Sequence, residues 1–195
     1  MSGTLFVVAT PIGNLADASP RSLEVLRAAH AIACEDTRTT RTLLARYGIE
    51  TPTLALHRHN ERAAAGKLLN LLKEGKNLAL VSDAGTPALS DPGALLVCAA
   101  HGAGIRVSPV PGPNAAAAAF SAAGFAADRF LFVGFLPAAR AARAKALAEL
   151  EVDCPLILYE APHRVLETVH DLAERFGGAR EIAIRRGRGR VRVMD

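Results

Sequence analysis

Short apolar segments alternate with longer amphipathic segments along most of the chain, and this alternation most limits the possible folds. It predicts strands at residues 4–9, 31–34, 53–56, 77–81, 105–108, 130–135, 156–159 and 181–184. It predicts helices at residues 20–29, 39–47, 61–73, 92–101, 114–123, 138–150 and 163–176. Strands that alternate with helices are typical of a mostly parallel sheet that is covered by helices on both faces.

A proline-rich break, PVPGP at residues 109–113, divides this alternation into two parts. We therefore expect two α/β domains, residues 1–112 and 113–195. Both sheets are expected to be mostly parallel. A cleft between two domains, lined by loops from both, is a usual place for a small-molecule site.

Composition limits the class of protein. Half of the 195 residues are apolar, which is enough for a substantial core. No apolar run approaches the roughly 18 residues of a membrane span, and the start lacks the features of a signal peptide, so we expect a cytoplasmic protein. Cys34, Cys98 and Cys154 are widely spaced in apolar surroundings. This pattern predicts buried thiols rather than disulfides or a metal site.

Polar, turn-forming segments follow each of the first five predicted strands: TPIGNL, EDTRTT, HRHNE, SDAGTP and PVPGPN. The carboxyl ends of parallel strands share one edge of a sheet, where ligands bind in open α/β folds. The segment SDAGTPALSDPG, residues 82–93, is the richest of them. It is either a ligand-binding loop or an ordinary connection in which Asp91 caps a helix beginning near Pro92. No glycine-rich phosphate loop is present, which disfavours nucleoside triphosphates and dinucleotides.

Six ordered motifs carry a resemblance to a known family: VATPIGNLAD, EDTR, SDAGTPALSDPG, PGPNA, GFLP and YEAPHR. In this order and spacing they resemble the tetrapyrrole methylase superfamily of S-adenosylmethionine (SAM) methyltransferases. Within it they look most like the branch that methylates a cytidine 2′-hydroxyl in bacterial 16S ribosomal RNA. The resemblance implies rRNA processing, SAM as cofactor, a homodimer and no metal.

The resemblance also implies which residues shape the SAM pocket. From the first domain these are Pro11, Ile12, Gly13, Ser82, Asp83, Ala84, Gly85, Thr86, Pro87, Asn114 and Ala115. From the second domain they are Leu136, Glu160 and Ala161. SAM carries no phosphate, so its pocket needs carbonyls, carboxylates and apolar surface. Asp83 is expected to receive the SAM ammonium group or a ribose hydroxyl, or else to form a turn or cap.

Transfer to a hydroxyl gains from a base that takes the hydroxyl proton. Glu35 and Asp36 are the candidates, two adjacent carboxylates just past a buried strand. Successive residues there point in opposite directions, so at most one should reach the reacting oxygen. The alternative is a solvated helix entry with Asp36 or Thr37 as the cap. His57 and His59 are weaker candidates and are more simply structural.

Basic residues on the loop edge of the first domain are candidates for RNA contact: Arg38, Arg41, Arg46, Arg58 and Arg62, with the two histidines. Phosphate contacts of this kind position a substrate without reading its sequence. Residues 180–195 hold six arginines and two acidic residues, a net of +4 that equals the charge of the whole chain. The first 179 residues are therefore neutral, and the basic pI says little about nucleic acid.

After REIAIRR the chain departs from the family pattern and reads GRGRVRVMD. We expect a truncated or frame-changed second domain, or else a basic arm that binds RNA. Two further functions stay open: a superfamily methyltransferase that acts on a small molecule such as a precorrin, and an inactive SAM-binding chain.

Overall fold

The computed structural model describes residues 2–151 and 153–185 and the backbone of residues 191–194. The chain forms two compact units, Met1–Ala115 and Ala116–Asp195. The boundary suggested by the sequence, after Gly112, lies in the loop just before the helix that begins at Ala115. Most of the predicted basic arm lies outside the described residues.

The first unit is a five-stranded parallel sheet with four helices. Its elements are β1 (Thr4–Val8), α1 (Pro20–Ala28), β2 (Ala31–Cys34), α2 (Thr37–Arg46), β3 (Thr53–Ala55), α3 (Glu61–Lys73), β4 (Leu78–Val81), α4 (Ala94–Gly102) and β5 (Arg106–Val110). The strand order is β3-β2-β4-β1-β5, and every pairing is parallel. The prediction of a parallel α/β sheet is confirmed.

The two faces of this sheet are covered by different helices. Every residue of β2 and β4 is buried, as in strands with helices on both sides. Leu72 of α3 and Leu96 of α4 pack on one face, in the cluster that holds Leu80. Leu26 of α1 and Leu43 of α2 pack on the other face. Because α1 follows β1 and α4 follows β4, these adjacent strands lead to opposite faces, which makes their carboxyl ends a topological switch point.

The beginning of α4 differs from the prediction. The helix begins at Ala94 rather than near Pro92, because Gly93 has a φ of 125°, outside the helical range. Its first N–H groups are capped by another helix, not by Asp91: Glu61 Oε1 accepts from Gly93 N–H (2.8 Å) and Leu95 N–H (3.1 Å). Here a carboxylate at the beginning of α3 satisfies the unpaired N–H groups of α4.

The second unit holds most of α5 and six further elements. These are α5 (Ala115–Ala123), β6 (Leu131–Phe135), α6 (Arg140–Ala148), β7 (Leu156–Tyr159), α7 (Val165–Phe176), β8 (Ile182–Arg185) and β9 (Val191–Met194). β6 pairs with β7 in parallel, and β8 pairs with β9 in antiparallel fashion. The sequence did not predict β9.

Within the described residues, no helix is both long enough and apolar enough to cross a membrane. Cys34 is buried in β2, Cys154 is half-buried and Cys98 is exposed. The expectation of a buried thiol is wrong for Cys98, because Leu96 and Ala100 take the core-facing positions of α4.

Candidate functional site

The loops after β1 and β4 are joined directly at the switch point. Thr10 N–H donates to the Gly85 carbonyl (2.9 Å), and Gly85 N–H donates back to the Thr10 carbonyl (3.0 Å). The buried Thr10 hydroxyl also donates to the Ser82 carbonyl (3.0 Å). The start of SDAGTP is therefore held rigidly against the ATPIGN turn.

The loop after β5 joins the same group. Thr86 Oγ1 donates to the Pro113 carbonyl (3.2 Å), and Asn114 Nδ2 donates to Thr86 Oγ1 (3.4 Å). Gly85 has a φ of 87°, and a Cβ there would lie 3.4 Å from Ile12 Cγ2. Three of the predicted cofactor segments, residues 11–13, 82–87 and 114–115, thus meet at one edge of the sheet.

The predicted cofactor residues of the second unit form a network of their own. Arg164 Nη2 donates to the carbonyls of Leu136 (3.2 Å) and Pro137 (3.1 Å), which ties YEAPHR to GFLP. Glu160 accepts from Ala161 N–H (2.7 Å) and from the Thr168 hydroxyl (2.7 Å) and pairs with Arg164 at 3.3 Å. These contacts fix the carboxyl ends of β6 and β7 relative to each other.

Glu35 lies in a partly buried, negatively charged environment. Burial raises the pKa of its carboxyl group above the ordinary value, and the charges of Asp91 and Asp83 raise it further. Arg58 and His57 oppose the shift. Burial likewise raises the pKa of Asp91, with the charge of Asp83 adding to the shift and a Ser82 hydrogen bond opposing it. A carboxylate with a raised pKa is suited to accept a proton near neutral pH.

Asp36 has the structural role that the sequence left open. Its Oδ1 accepts from Arg38 N–H (2.8 Å) as the cap of α2, and its Oδ2 pairs with Arg38 Nη2 at 2.9 Å. Hydrogen bonds from the Arg38 side chain and backbone lower the pKa of Asp36 to about 2. A carboxylate so easily ionised is a weak proton acceptor.

The arginine side chains that were predicted to contact RNA differ in whether they already have a partner within the protein. Arg58 Nη2 donates to the Ser90 carbonyl (2.5 Å), in a loop where Ala88 and Ser90 have left-handed φ values of 63° and 65°. Arg41 and Arg62 are exposed, and their side chains make no hydrogen bond or ion pair within the part of the chain that the structure describes. Arg58 is thus a structural clamp on a strained loop, and the other two are available to a ligand.

The two histidines lie in the loop between β3 and α3. The rings of His57 and His59 are 6.1 Å apart. His57 N–H donates to Asn60 Oδ1 (2.8 Å), which fixes the backbone before α3. His57 is half-buried and lies close enough to Glu35 to influence its pKa.

A cavity of about 220 Å³ opens at the switch point, on the side of the sheet that α2 covers. We call it the threonine cavity; its walls are Thr10, Pro11, Leu15, Thr39, Thr40, Thr42, Leu43, Ser82 and Asp83. Asp83 forms part of its wall, and its Oδ1 accepts from Asp36 N–H (3.0 Å). The α2 residues of this cavity were not among the predicted site residues, although the run TRTTRT after a buried strand is a signal for them.

Comparison with known sequences gives matches over almost the whole chain. A sequence profile of the tetrapyrrole (corrin/porphyrin) methylases matches residues 4–190. Ribosomal RNA small subunit methyltransferase I of Pseudomonas aeruginosa is 54% identical over 186 residues, 95% of this chain and 66% of that protein. The protein of the same name from Xylella fastidiosa is 55% identical over 185 residues, 94% of this chain and 68% of that protein. The chain spans about two thirds of the length of these relatives.

Two solved structures share the fold. Uroporphyrin-III C-methyltransferase from Thermus thermophilus has a TM-score of 0.65 at 16% identity, over 92% of this chain and 80% of that chain. Diphthine synthase has a TM-score of 0.64 at 17% identity, over 93% of this chain and 75% of that chain. At these identities the likeness concerns the fold, and it confirms the predicted α/β class.

Proposed function

We propose, on the premise that the chain belongs to the tetrapyrrole (corrin/porphyrin) methylase family, that it is a SAM-dependent methyltransferase of small-subunit ribosomal RNA. The acceptor is the 2′-hydroxyl of a cytidine. The observation that carries this proposal is the identity of more than half, over nearly the whole chain, to proteins named ribosomal RNA small subunit methyltransferase I.

The residues at the switch point fit SAM. When bound, SAM supplies a methyl group on a sulfonium, and it has no phosphate that would need a glycine-rich loop. Gly85 allows close approach of a ligand to the backbone, and Thr86 and Asn114 place a hydroxyl and an amide beside it. We assign the cofactor to the segments 11–13, 82–87 and 114–115. Leu136, Glu160 and Ala161 are proposed as its contacts in the second unit.

Glu35 is the proposed proton acceptor. In the transfer, the ribose oxygen forms a bond to the methyl carbon, the carbon–sulfur bond breaks, and the hydroxyl proton passes to the Glu35 carboxylate. The raised pKa of Glu35 suits this role, whereas the low pKa of Asp36 and its cap of α2 do not. Positioning supplies much of the rest, since well-oriented reactants lower a barrier by about 7–11 kcal/mol.

Contact with RNA is assigned to the exposed guanidinium groups of Arg41 and Arg62, with Arg38 beside Asp36. Arg58 is proposed to support RNA binding indirectly, because its side chain already donates a hydrogen bond to the Ser90 carbonyl. A ribosomal substrate implies a cytoplasmic protein, and the family resemblance implies a homodimer without a metal; light scattering tests the dimer.

The test is methyl transfer from tritiated SAM to three acceptors: assembled small ribosomal subunits, free 16S RNA and a porphyrinoid. We expect label in the ribosomal RNA, at a cytidine whose 3′ phosphodiester bond becomes resistant to alkaline cleavage because its 2′-hydroxyl is methylated. Isothermal titration with SAM measures cofactor binding separately.

Label in the porphyrinoid alone would show that the substrate is a small molecule and not RNA. SAM binding without transfer to any acceptor would leave a cofactor-binding chain without the proposed activity. Absence of SAM binding would overturn the cofactor assignment itself.

A further inference from the structure

We propose that the threonine cavity receives the cytosine base of the target nucleotide, and that the Asp83 carboxylate accepts a hydrogen bond from its N4 amino group. This inference rests on the proposed function, since it names the part of the RNA that the site reads. It gives the Asp83 side chain to the base and leaves the cofactor the backbone of this residue and the rest of the segment 82–87.

The size of the cavity limits what it can hold. Pockets for whole drug-sized ligands measure about 300–1,000 Å³. At about 220 Å³, the threonine cavity is too small for a complete SAM molecule or a tetrapyrrole macrocycle. A single polar ring matches this volume. Such a ring could enter the cavity as one base of an RNA strand that passes outside it.

The walls of the cavity offer hydrogen bonds to such a ring. Thr40 is only 4% exposed. Its hydroxyl lies near the Cys34 thiol but makes no hydrogen bond of standard geometry with any described residue. Buried polar groups normally have a partner. Thr39 is exposed, and both threonines line the cavity. Threonine hydroxyls can donate to the ring nitrogen and carbonyl oxygen of a pyrimidine.

Asp83 adds the element that discriminates between bases. Its Oδ1 is engaged by Asp36 N–H, and its Oδ2 has no partner within the part of the chain that the structure describes. A carboxylate accepts well from the N4 amino group of cytosine. Uracil presents a carbonyl oxygen at the same place, which a carboxylate repels. The cavity should therefore prefer cytosine to uracil.

The adenine of SAM is the competing occupant, and the contacts at the switch point argue against it. The segments assigned to SAM contact one another through Gly85, Thr86 and Pro113, and these contacts lie on the side of β5. The cavity lies on the α2 side. It shares Pro11, Ser82 and Asp83 with the segments assigned to SAM, but its walls include none of Gly85, Thr86 or Asn114.

The test is an NMR titration of the whole chain labelled at threonine methyl groups. Cytidine, uridine, adenosine and SAM are added separately. We expect cytidine to shift the methyl signals of Thr39, Thr40 and Thr42, with an apparent affinity about ten- to a hundredfold higher than that of uridine. SAM should instead shift Thr86, while Thr53 in β3 serves as a control that no ligand shifts.

A matched variant checks the discriminating contact. Asp83→Asn keeps the oxygen that accepts from Asp36 N–H but presents an amide donor to the base. We expect the preference for cytidine to disappear or to reverse in favour of uridine, with the shifts still at the same three threonines.

Three outcomes overturn the proposal. Cytidine that shifts none of the three methyl signals excludes the base site, and equal affinity for cytidine and uridine excludes reading by Asp83. Adenosine or SAM that shifts these signals assigns the cavity to the cofactor, with the proposed function intact. Selective cytidine binding without methyl transfer would instead uphold the cavity assignment and remove the proposed function.

Discussion

Two neighbouring carboxylates at the end of β2 have opposite properties. Ala33 packs on the face covered by α3 and α4, and Cys34 packs on the face covered by α1 and α2. With this alternation Glu35 returns to the side of Asp91 and Arg58, where its pKa is raised. Asp36 meets the first turn of α2, where its pKa falls to about 2. Adjacent residues of the same chemical type therefore have different roles.

At the residue scale, we expect Glu35→Gln to lower methyl transfer by about 10²–10⁴-fold. In the unmodified protein the rate should rise with pH through the raised pKa of Glu35, because only the ionised carboxylate accepts a proton. The variant should lose this acidic limb and keep its affinity for SAM. Initial rates between about pH 5 and 9, with calorimetric SAM titration, measure both effects.

Asp36→Asn is the control for this prediction. Asn caps a helix about as well as Asp, so α2 should persist and transfer should stay within a few-fold. A raised pKa also means that the stabilising contribution of Glu35 is present below its unfolded pKa and is lost as pH rises through its folded pKa. Glu35→Gln should therefore not destabilise the protein at neutral pH. A large loss of activity in Asp36→Asn alone would reassign the base.

At the scale of elements, the strands and helices followed the apolar periodicity closely, and differences arose where a distant group intervened. α3 has the bounds that the pattern predicts. α4 begins later, because its N–H groups are capped by Glu61, a residue more than thirty positions earlier in the chain. The predicted cap at Asp91 was reasonable locally, but no local pattern identifies a cap supplied by another helix.

Gly93 marks the entry to α4, and we expect Gly93→Ala to destabilise the protein by about 1–3 kcal/mol. A Cβ there would lie 2.7 Å from Leu80 Cδ2 and would force alanine to a φ of 125°. Gly66→Ala is the matched control, since Gly66 lies inside α3 with nothing within 4 Å of an added Cβ. That change should stabilise by about 0.5–1 kcal/mol. Urea unfolding measures the change in the free energy of unfolding for both variants. A Gly93→Ala variant that is as stable as the unmodified protein would contradict backbone strain at this position.

Helices α6 and α7 are joined by a buried ion pair. The side chains of Arg143 and Asp171 are 2% and 6% exposed, with Arg143 Nε donating to Asp171 Oδ2. Arg143→Met leaves Asp171 without its closest partner and should cost about 3–5 kcal/mol. Arg140, 68% exposed beside the same carboxylate, is the control: Arg140→Ala should cost about 0–1 kcal/mol.

The acid dependence of the same pair gives a second measurement. The Arg143 hydrogen bond lowers the pKa of Asp171, so its stabilisation is complete above the unfolded pKa of about 3.9 and is lost as pH falls through the folded pKa. Arg143→Met should remove this acid dependence. Adding Asp171→Leu to Arg143→Met should recover much of the lost stability, and failure to recover it would point to lost packing rather than an unpaired charge.

For the molecule as a whole, the proposed contacts with a polyanion are the exposed arginines of the first unit. We expect binding of small-subunit RNA to weaken with salt, with a slope of about −0.7 per phosphate contacted for single strands. Arg41→Ala and Arg62→Ala should each reduce the slope by about one contact. Arg58→Ala should change the slope less but lower stability, because Arg58 holds the Ser90 carbonyl. Filter binding over a range of salt concentrations measures the slopes.

The sequence indicated the edge at which the candidate site lies but not how its parts meet. Parallel strands bring their carboxyl ends together, so the loops after β1, β4 and β5 were predictable as a group. The contact between Asp83 and Asp36 joins residues 47 positions apart and depends on β2 lying beside β4, an order that local patterns do not reveal. The threonine cavity depends on the same order, since its walls come from three separate segments.

The reciprocal pair of backbone bonds between Thr10 and Gly85 has a consequence for turnover. Because the protein's own backbone joins these two turns, binding of the proposed methyl donor should need little further ordering of them. At the proposed cofactor site, the demethylated thioether left after transfer would meet the same surface and keep most of its contacts. We therefore expect strong product inhibition by S-adenosylhomocysteine. Release of this product, rather than the chemical step, should limit the steady-state rate.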